Sequence, residues 1–337
     1  MWSEQPFETM LQTRLNTLPQ PAGADLFSDY VSARRFVVEE VAENIPRAEP
    51  DLTDHGPRHI ADVMRRVHEL LAFNLDYFSA HEIYILAVSI LFHDVGNLHG
   101  RQDHQKKVAS VHVALRRDDA RYRNERNAVL VIAGAHTGTT RDGSKDTLRD
   151  IDRLSFQGVP IRGREIASVL RLADELAEGE HRTSAYLQNI GAYSTTSAVY
   201  HAYANAVDYC VEGAGTGRIA MTFTIDLTNE GGSLTVGNNV QLADLLELCY
   251  RRIVKLDQER RYCKHYCTLL SGLSETGAWF RFYSEGQRLE TGLQPLVLSD
   301  LVIPGDLAKT IDGMDPGYTI STLLAQLETL CGGGSTS

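Results

Sequence analysis

The sequence predicts a mainly α protein, a helical bundle over residues 1–205 followed by a smaller α+β unit over 206–331. Three observations predict it. Apolar residues recur at helical spacing through most of the first 200 positions, most clearly at Ile60, Val63, Met64, Val67, Leu70 and Leu71. Residues 83–92 are apolar on nearly every face, the mark of a helix buried on all sides. Near residue 206 the pattern changes, and 218–227 alternates and is rich in β-formers.

The elements follow in order. Residues 4–18 and 26–45 read as two helices, the second with Phe36, Val37, Val41 and Ile45 on one face. Thr53 and Asp54 give a cap signal, and Pro57 suits a first turn, so a helix is expected over 56–73. The buried helix spans 81–94. Helices are expected at 103–117 and 125–135. The stretch 137–160, with glycines, charges and little periodicity, reads as a long connection of the kind that is often functional. A helix resumes at 163–178 with Ile166, Val169, Leu170, Leu172, Ala173 and Leu176. In the second unit, strand 218–227, Gly231-Gly232 and 233–236 read as a hairpin. A long helix through Leu242–Leu256, strand-like segments at 278–283 and 294–303, and a helix at 317–330 complete it. Residues 332–337 read as a flexible tail.

Composition bounds the function classes. There are 337 residues, enough for one large domain or two ordinary ones. No apolar stretch approaches the roughly 18 residues of a membrane span, and the N-terminus lacks the pattern of a signal peptide. Five scattered cysteines point to reduced thiols, so a cytoplasmic protein is expected. Cys263 and Cys267 flank His265, but two cysteines without a second pair make a poor zinc framework. The net charge of −11 disfavours sequence-independent nucleic-acid binding. From Arg101 to Arg171, however, 15 basic residues face 9 acidic ones, a local +6 that suits a phosphate-bearing ligand.

The chemistry concentrates at His93-Asp94, which end the buried helix. A lone buried carboxylate costs several kcal/mol, so Asp94 requires compensation, and a metal ion supplies it. Further candidate ligands are His59, His104, His136 and Asp174. His59 flanks the stripe of the 56–73 helix, and Asp174 borders the apolar face of the 163–178 helix. His104 follows the glycine-containing turn after the pair, and His136 ends the apolar run 128–133. Each has a plainer reading too: a core histidine for His59, a salt bridge to Arg171 or Arg182 for Asp174, and a surface or hydrogen-bonding role for His104 and His136, which could otherwise bind a second ion or hold a substrate phosphate.

The ordered series resembles the HD-domain superfamily of metal-dependent phosphohydrolases, whose motif is H…HD…D, over residues 25–200. The resemblance implies that His59, His93, Asp94 and Asp174 are ligands of a first ion. It also implies that His104 and His136 correspond to the extra histidines of two-metal members. The chain departs from one common branch: Asn97 stands where that branch has lysine, and its paired histidines are reduced to His136. It is therefore not assigned to the cyclic-dinucleotide phosphodiesterases.

Mixed imidazole and carboxylate ligands suit Mn²⁺, Fe²⁺, Co²⁺, Ni²⁺ or Zn²⁺ better than Mg²⁺. The expected activity is hydrolysis of a phosphoester or phosphoanhydride, in a nucleotide, by a metal-activated water. Asp94 is the expected bridging carboxylate; of the candidate cations Arg58, Arg101, Lys106, Lys107, Arg141 and Arg171, Lys107 and Arg101 are the favoured phosphate-binding pair; and His55 is an acid or supporting partner. The expected partner is a phosphorylated small molecule, not a membrane, with self-association left open. Two alternatives stand beside this one: a nuclease acting on single strands, and a non-catalytic HD module for sensing or assembly.

Overall fold

The computed structural model describes residues 2–100, 107–117, 119–140, 142–151, 153–212, 217–230, 233–237, 240–301 and 311–332. Arg101, His104, Lys106 and Arg141 lie outside them. The chain is mainly helical, with a sheet-containing C-terminal part. It divides into two compact units. One comprises Met1–Ala177 with Arg261–Ser271, and the other Glu178–Arg260 with Gly272–Ser337.

The first unit begins with α1 (Pro6–Leu15) and α2 (Ala22–Phe36). The single helix expected over 26–45 is interrupted. A wide π turn at Val37–Val41 and a 3-10 turn at Ala42–Asn44 lead into α3 (Ile45–Ala48). The wide turn buries Val37, Val38 and Val41 together. α4 (Pro57–Leu71) and α5 (Ala80–Phe92) follow, then a 3-10 turn at Val95–His99. α6 (Val108–Arg116), α7 (Arg123–Gly134) and α8 (Gly163–Leu176) complete the helices.

α5 is apolar all round because it has neighbours all round: α1, α2, α4, α7 and α8 pack against it. Ile83, Ile85, Leu86, Val88 and Ile90 are fully buried, each worth about 1.5–3 kcal/mol of hydrophobic stabilisation. Its start is fixed by a capping box: Ser79 Oγ accepts from Glu82 N, and Glu82 Oε2 accepts from Ser79 N. Glu82 is also the anchor of Arg162, whose N and Nε each donate to Oε1 at 2.8 Å.

The connection 137–160 carries structure that periodicity did not reveal. β1 (Leu154–Phe156) and β2 (Val159–Ile161) form an antiparallel hairpin. Its two turn residues, Gln157 and Gly158, both have positive φ, of 50° and 78°. That is the turn geometry which matches strand twist, usually signalled by Asn-Gly rather than Gln-Gly.

The second unit opens with α9 (Ala185–Asn189) and α10 (Thr195–Ala206), then β3 (Val207–Val211). β4 (Arg218–Glu230) is the central strand. Ile219, Met221, Phe223, Ile225 and Leu227 are buried, while Thr224 and Asp226 between them are exposed, the period of a strand with one covered face. β5 (Ser233–Val236) pairs antiparallel with its far end, as the hairpin pattern predicts, and β6 (Val240–Gln241) pairs with β5. α11 (Leu242–Tyr266) intervenes before β7 (Glu275–Ser284), which pairs parallel with β4. A parallel neighbour requires such a crossover. β8 (Gln287–Leu289) and β9 (Leu296–Ser299) pair antiparallel with β7. α12 (Ile311–Met314) and α13 (Ile320–Gly332) end the described chain. None of the five cysteines is in a disulfide, and Cys263 and Cys267 are buried.

Candidate metal centre

Four side chains from three places in the first unit converge. His59 comes from the first turns of α4, His93 and Asp94 from the end of α5, and Asp174 from the last turn of α8. Local sequence sets each one. Asp54 Oδ1 accepts from Gly56 N at 2.6 Å, an Asx turn that starts α4 with Pro57 in its first turn. The stripe that buries Ile60, Val63 and Val67 turns His59 inward with it, to zero exposure. His93 is the C-cap of α5. Asp94 then leaves helical geometry, and Gly100, at φ 96°, ends the following 3-10 turn.

The ligand atoms lie within 4.8 Å of one another. His59 Nε2 is 3.2 Å from His93 Nε2 and 3.2 Å from Asp174 Oδ1. It is also 3.5 Å from Asp94 Oδ2. His93 Nε2 is 3.4 Å from Asp94 Oδ2 and 3.5 Å from Asp174 Oδ1. Four ligands about 2.1 Å from a central ion, arranged as a tetrahedron, have edges of about 3.4 Å. Five of the six edges, at 3.2–3.5 Å, match it, and the sixth, between Asp94 and Asp174, lies within 4.8 Å. Hydrogen bonding accounts for them less well. An imidazole Nε2 has one proton or one lone pair to offer, and here each faces three polar atoms at nearly equal distance.

Two further features favour a cation. His93 Nδ1 donates to the Ile90 carbonyl at 2.8 Å, which leaves the Nε2 lone pair aimed into the cluster. His136, just past the end of α7, makes the same bond from Nδ1 to the Ala133 carbonyl. Moreover, α5, α7 and α8 all present their C-terminal ends here, each with partial negative charge.

The electrostatics agree. Burial alone would lower the pKa of His93, but Asp94 and Asp174 outweigh it and raise it well above its ordinary value. Burial alone would raise the pKa of Asp174, but hydrogen bonds from His59 and His93 hold it well below the carboxylate range. The two carboxylates thus demand positive charge between them, from a proton or from a metal ion.

Around this cluster stand the other candidates. His136 Nε2 is 3.5 Å from Asp94 Oδ1, the oxygen not directed at His59 and His93. His55 Nδ1 is 2.7 Å from Asp94 Oδ2. Lys107 Nζ donates to the His99 carbonyl at 2.5 Å, at the end of the turn that follows Asp94. Arg101 and His104 lie outside the described residues. The local basic excess is partly spent on ion pairs: Arg116 with Glu125, Arg121 with Asp119, Arg149 with Asp142 and Asp150, and Arg162 with Glu82. Arg171, a candidate cation by sequence, donates from Nη1 to the Ala135 carbonyl at 3.2 Å and to Thr147 Oγ1 at 2.9 Å.

Residues 49–214 match the family model HD-CE. That stretch contains all four cluster residues, and the buried two-histidine, two-aspartate set fits an HD-like metal site. The HD-CE match also takes in the short helices α9 and α10 and β3, beyond the first unit. No curated protein and no solved structure matches the chain significantly. No helix among the described residues is long and apolar enough to cross a membrane.

Proposed function

We propose that the chain is a metal-dependent phosphohydrolase that cleaves a phosphoester or phosphoanhydride bond of a nucleotide with an activated water. The observation that supports this reading is the set His59, His93, Asp94 and Asp174, with five of its six interatomic edges at 3.2–3.5 Å and all within 4.8 Å, which suits one divalent ion. An ion of the Mn²⁺, Fe²⁺, Co²⁺, Ni²⁺ or Zn²⁺ class held there supplies Lewis acidity and a hydroxide nucleophile near neutral pH.

The chain's own residues set the rest. Asp94 directs one oxygen at the cluster and the other at His136, the disposition of a carboxylate shared between two ion positions. His104, His136 and Asp94 are the proposed second set. His55, hydrogen-bonded to Asp94, is placed to pass a proton to or from substrate. Lys107, which donates to the His99 carbonyl, and Arg101, by its place in the sequence, are the proposed cations for the phosphate. The proposed partner is a phosphorylated small molecule in the cytoplasm. The nuclease reading is disfavoured by the net charge of −11.

The test is metal analysis of the purified protein, then phosphate release from a nucleotide panel with Mn²⁺. Asp94→Ala is expected to fold and to lose both metal and activity. A wild type that holds no transition metal and behaves like Asp94→Ala would favour the non-catalytic module instead.

A further inference from the structure

Beyond the ligands, one polar cluster in the first unit reaches the metal site from a distant part of the chain. Tyr262 and Tyr266 lie one turn apart at the end of α11, and both hydroxyls donate to Asp146. Tyr262 Oη is 2.8 Å from Oδ1, and Tyr266 Oη is 3.0 Å from each carboxylate oxygen. Tyr262 Oη also accepts from Leu148 N at 2.9 Å. The hydroxyl therefore binds the segment 142–148 twice, through a side chain and through the backbone.

That segment is tied in turn to both flanks of the metal centre. Thr147 Oγ1 donates to the carbonyl of Ala135, the residue before His136, at 2.6 Å. The Arg171 guanidinium donates to that same carbonyl and to Thr147 Oγ1, and stands 4.9 Å over the Tyr262 ring. Arg171 is one turn before Asp174 on α8. His136 and Asp174 thus share one brace, and the tyrosine ring and hydroxyl close it. Burial of the Tyr262 hydroxyl, which pushes its pKa up to about 12, keeps it a donor at all working pH.

We infer that Tyr262 and Tyr266 are positioning residues for the metal centre, acting through Asp146, Thr147 and Arg171 on His136 and Asp174. Residues 261–266, the end of α11, belong to the first unit, so the brace lies within that unit. This inference rests on the metal reading of the cluster. Groups that orient ligands typically change metal affinity by about 10–100-fold when removed.

The experiment uses the full chain, with Co²⁺ as both ligand and spectroscopic reporter. Tyr262→Phe/Tyr266→Phe keeps the rings and removes the hydroxyls. The expected result is near-native helicity, Co²⁺ binding weaker by about tenfold, an altered Co²⁺ visible spectrum, and faster amide exchange in 142–148. Asp146→Asn, which keeps one acceptor oxygen, is expected to lie between. Co²⁺ affinity and spectrum identical to wild type in the double variant would overturn the inference while leaving the metal site standing. A wild type that binds Co²⁺ no better than Asp94→Ala would overturn both.

Discussion

His55 Nδ1 stands 2.7 Å from Asp94 Oδ2, the same oxygen that faces His59 and His93. With Asp94 ionised, as a carboxylate that holds a metal ion must be, the proton of this bond lies on the nitrogen, so His55 donates. A carboxylate oxygen has lone pairs for both this bond and a metal ion. His55 therefore fixes the direction of Asp94 without occupying a ligand position. His55→Ala is expected to leave the fold intact and to weaken metal binding by about 10–100-fold, measured by competition with a chromophoric chelator. An unchanged affinity would remove His55 from the supporting role.

Metal should also stabilise the folded chain, because the four ligands come together only when α4, α5 and α8 are packed. At a free concentration about 100 times its dissociation constant, an ion that binds only the native state adds about 2.7 kcal/mol. Thermal unfolding with and without Mn²⁺ or Co²⁺ should show this as a rise in Tm. Asp174→Ala should abolish the rise, whatever it does to the Tm of the metal-free protein.

Much of this centre was legible in the sequence because burial and charge conflict so visibly there. Asp94 ends a run with no polar face, and a carboxylate in that position requires a partner. The helix stripes placed His59 and Asp174 at the edge of the same core. The braces were not legible. Tyr262 and Asp146 are far apart along the chain, and nothing in an i, i+4 tyrosine pair names its partner. The β1–β2 hairpin escaped because its strands are three residues long and its turn is Gln157-Gly158. The break in 26–45 escaped because a π turn preserves the apolar spacing that signals a continuous helix.

Glu82 gives a pH dependence whose sign follows from its surroundings. Burial pushes its pKa up, but hydrogen bonds from Arg162 and Ser79 outweigh that and hold it below its ordinary value. A folded pKa below the unfolded one means that its contribution is present above the unfolded value. It is lost as pH falls through the folded value. Glu82→Gln should therefore cost about 2 kcal/mol at pH 7, and much less at pH 3, in urea denaturation. Equal losses at both values would show that the charge of Glu82 does not matter.

In the second unit, Arg260 is fully buried. It donates to Asp257 at 2.7 Å, to Asp300 at 2.8 and 3.1 Å, to the Leu273 carbonyl at 2.8 Å and to Thr276 Oγ1 at 3.1 Å. It thereby ties α11 to the segments at the start of β7 and the end of β9. Removing one partner of a buried ion pair costs about 3–5 kcal/mol, because the other charge remains. Arg260→Ala should destabilise by that amount, and Asp257→Asn/Arg260→Met by clearly less, in a denaturant series. A neutral Arg260→Ala would mean that water replaces the guanidinium freely.

His136 separates one ion from two. It faces Asp94 Oδ1, whereas His59 and His93 face Oδ2, so its loss removes nothing from the four-atom cluster. A centre that works with a single ion should tolerate His136→Ala with unchanged metal content and a modest change in rate. A centre with a second ion should keep the first at near wild-type affinity, lose the second, and drop in turnover by about 100-fold or more, since both ions stabilise charge developing on the phosphate. The second outcome is expected, because His136 is buried, its Nδ1 is anchored on the Ala133 carbonyl, and its Nε2 is aimed at Asp94. Metal content by mass spectrometry, read beside the rate of phosphate release for the same samples, decides between them. If His136→Ala retained full metal content and full turnover, the histidine would be a packing residue, and Asp94 would serve one ion alone.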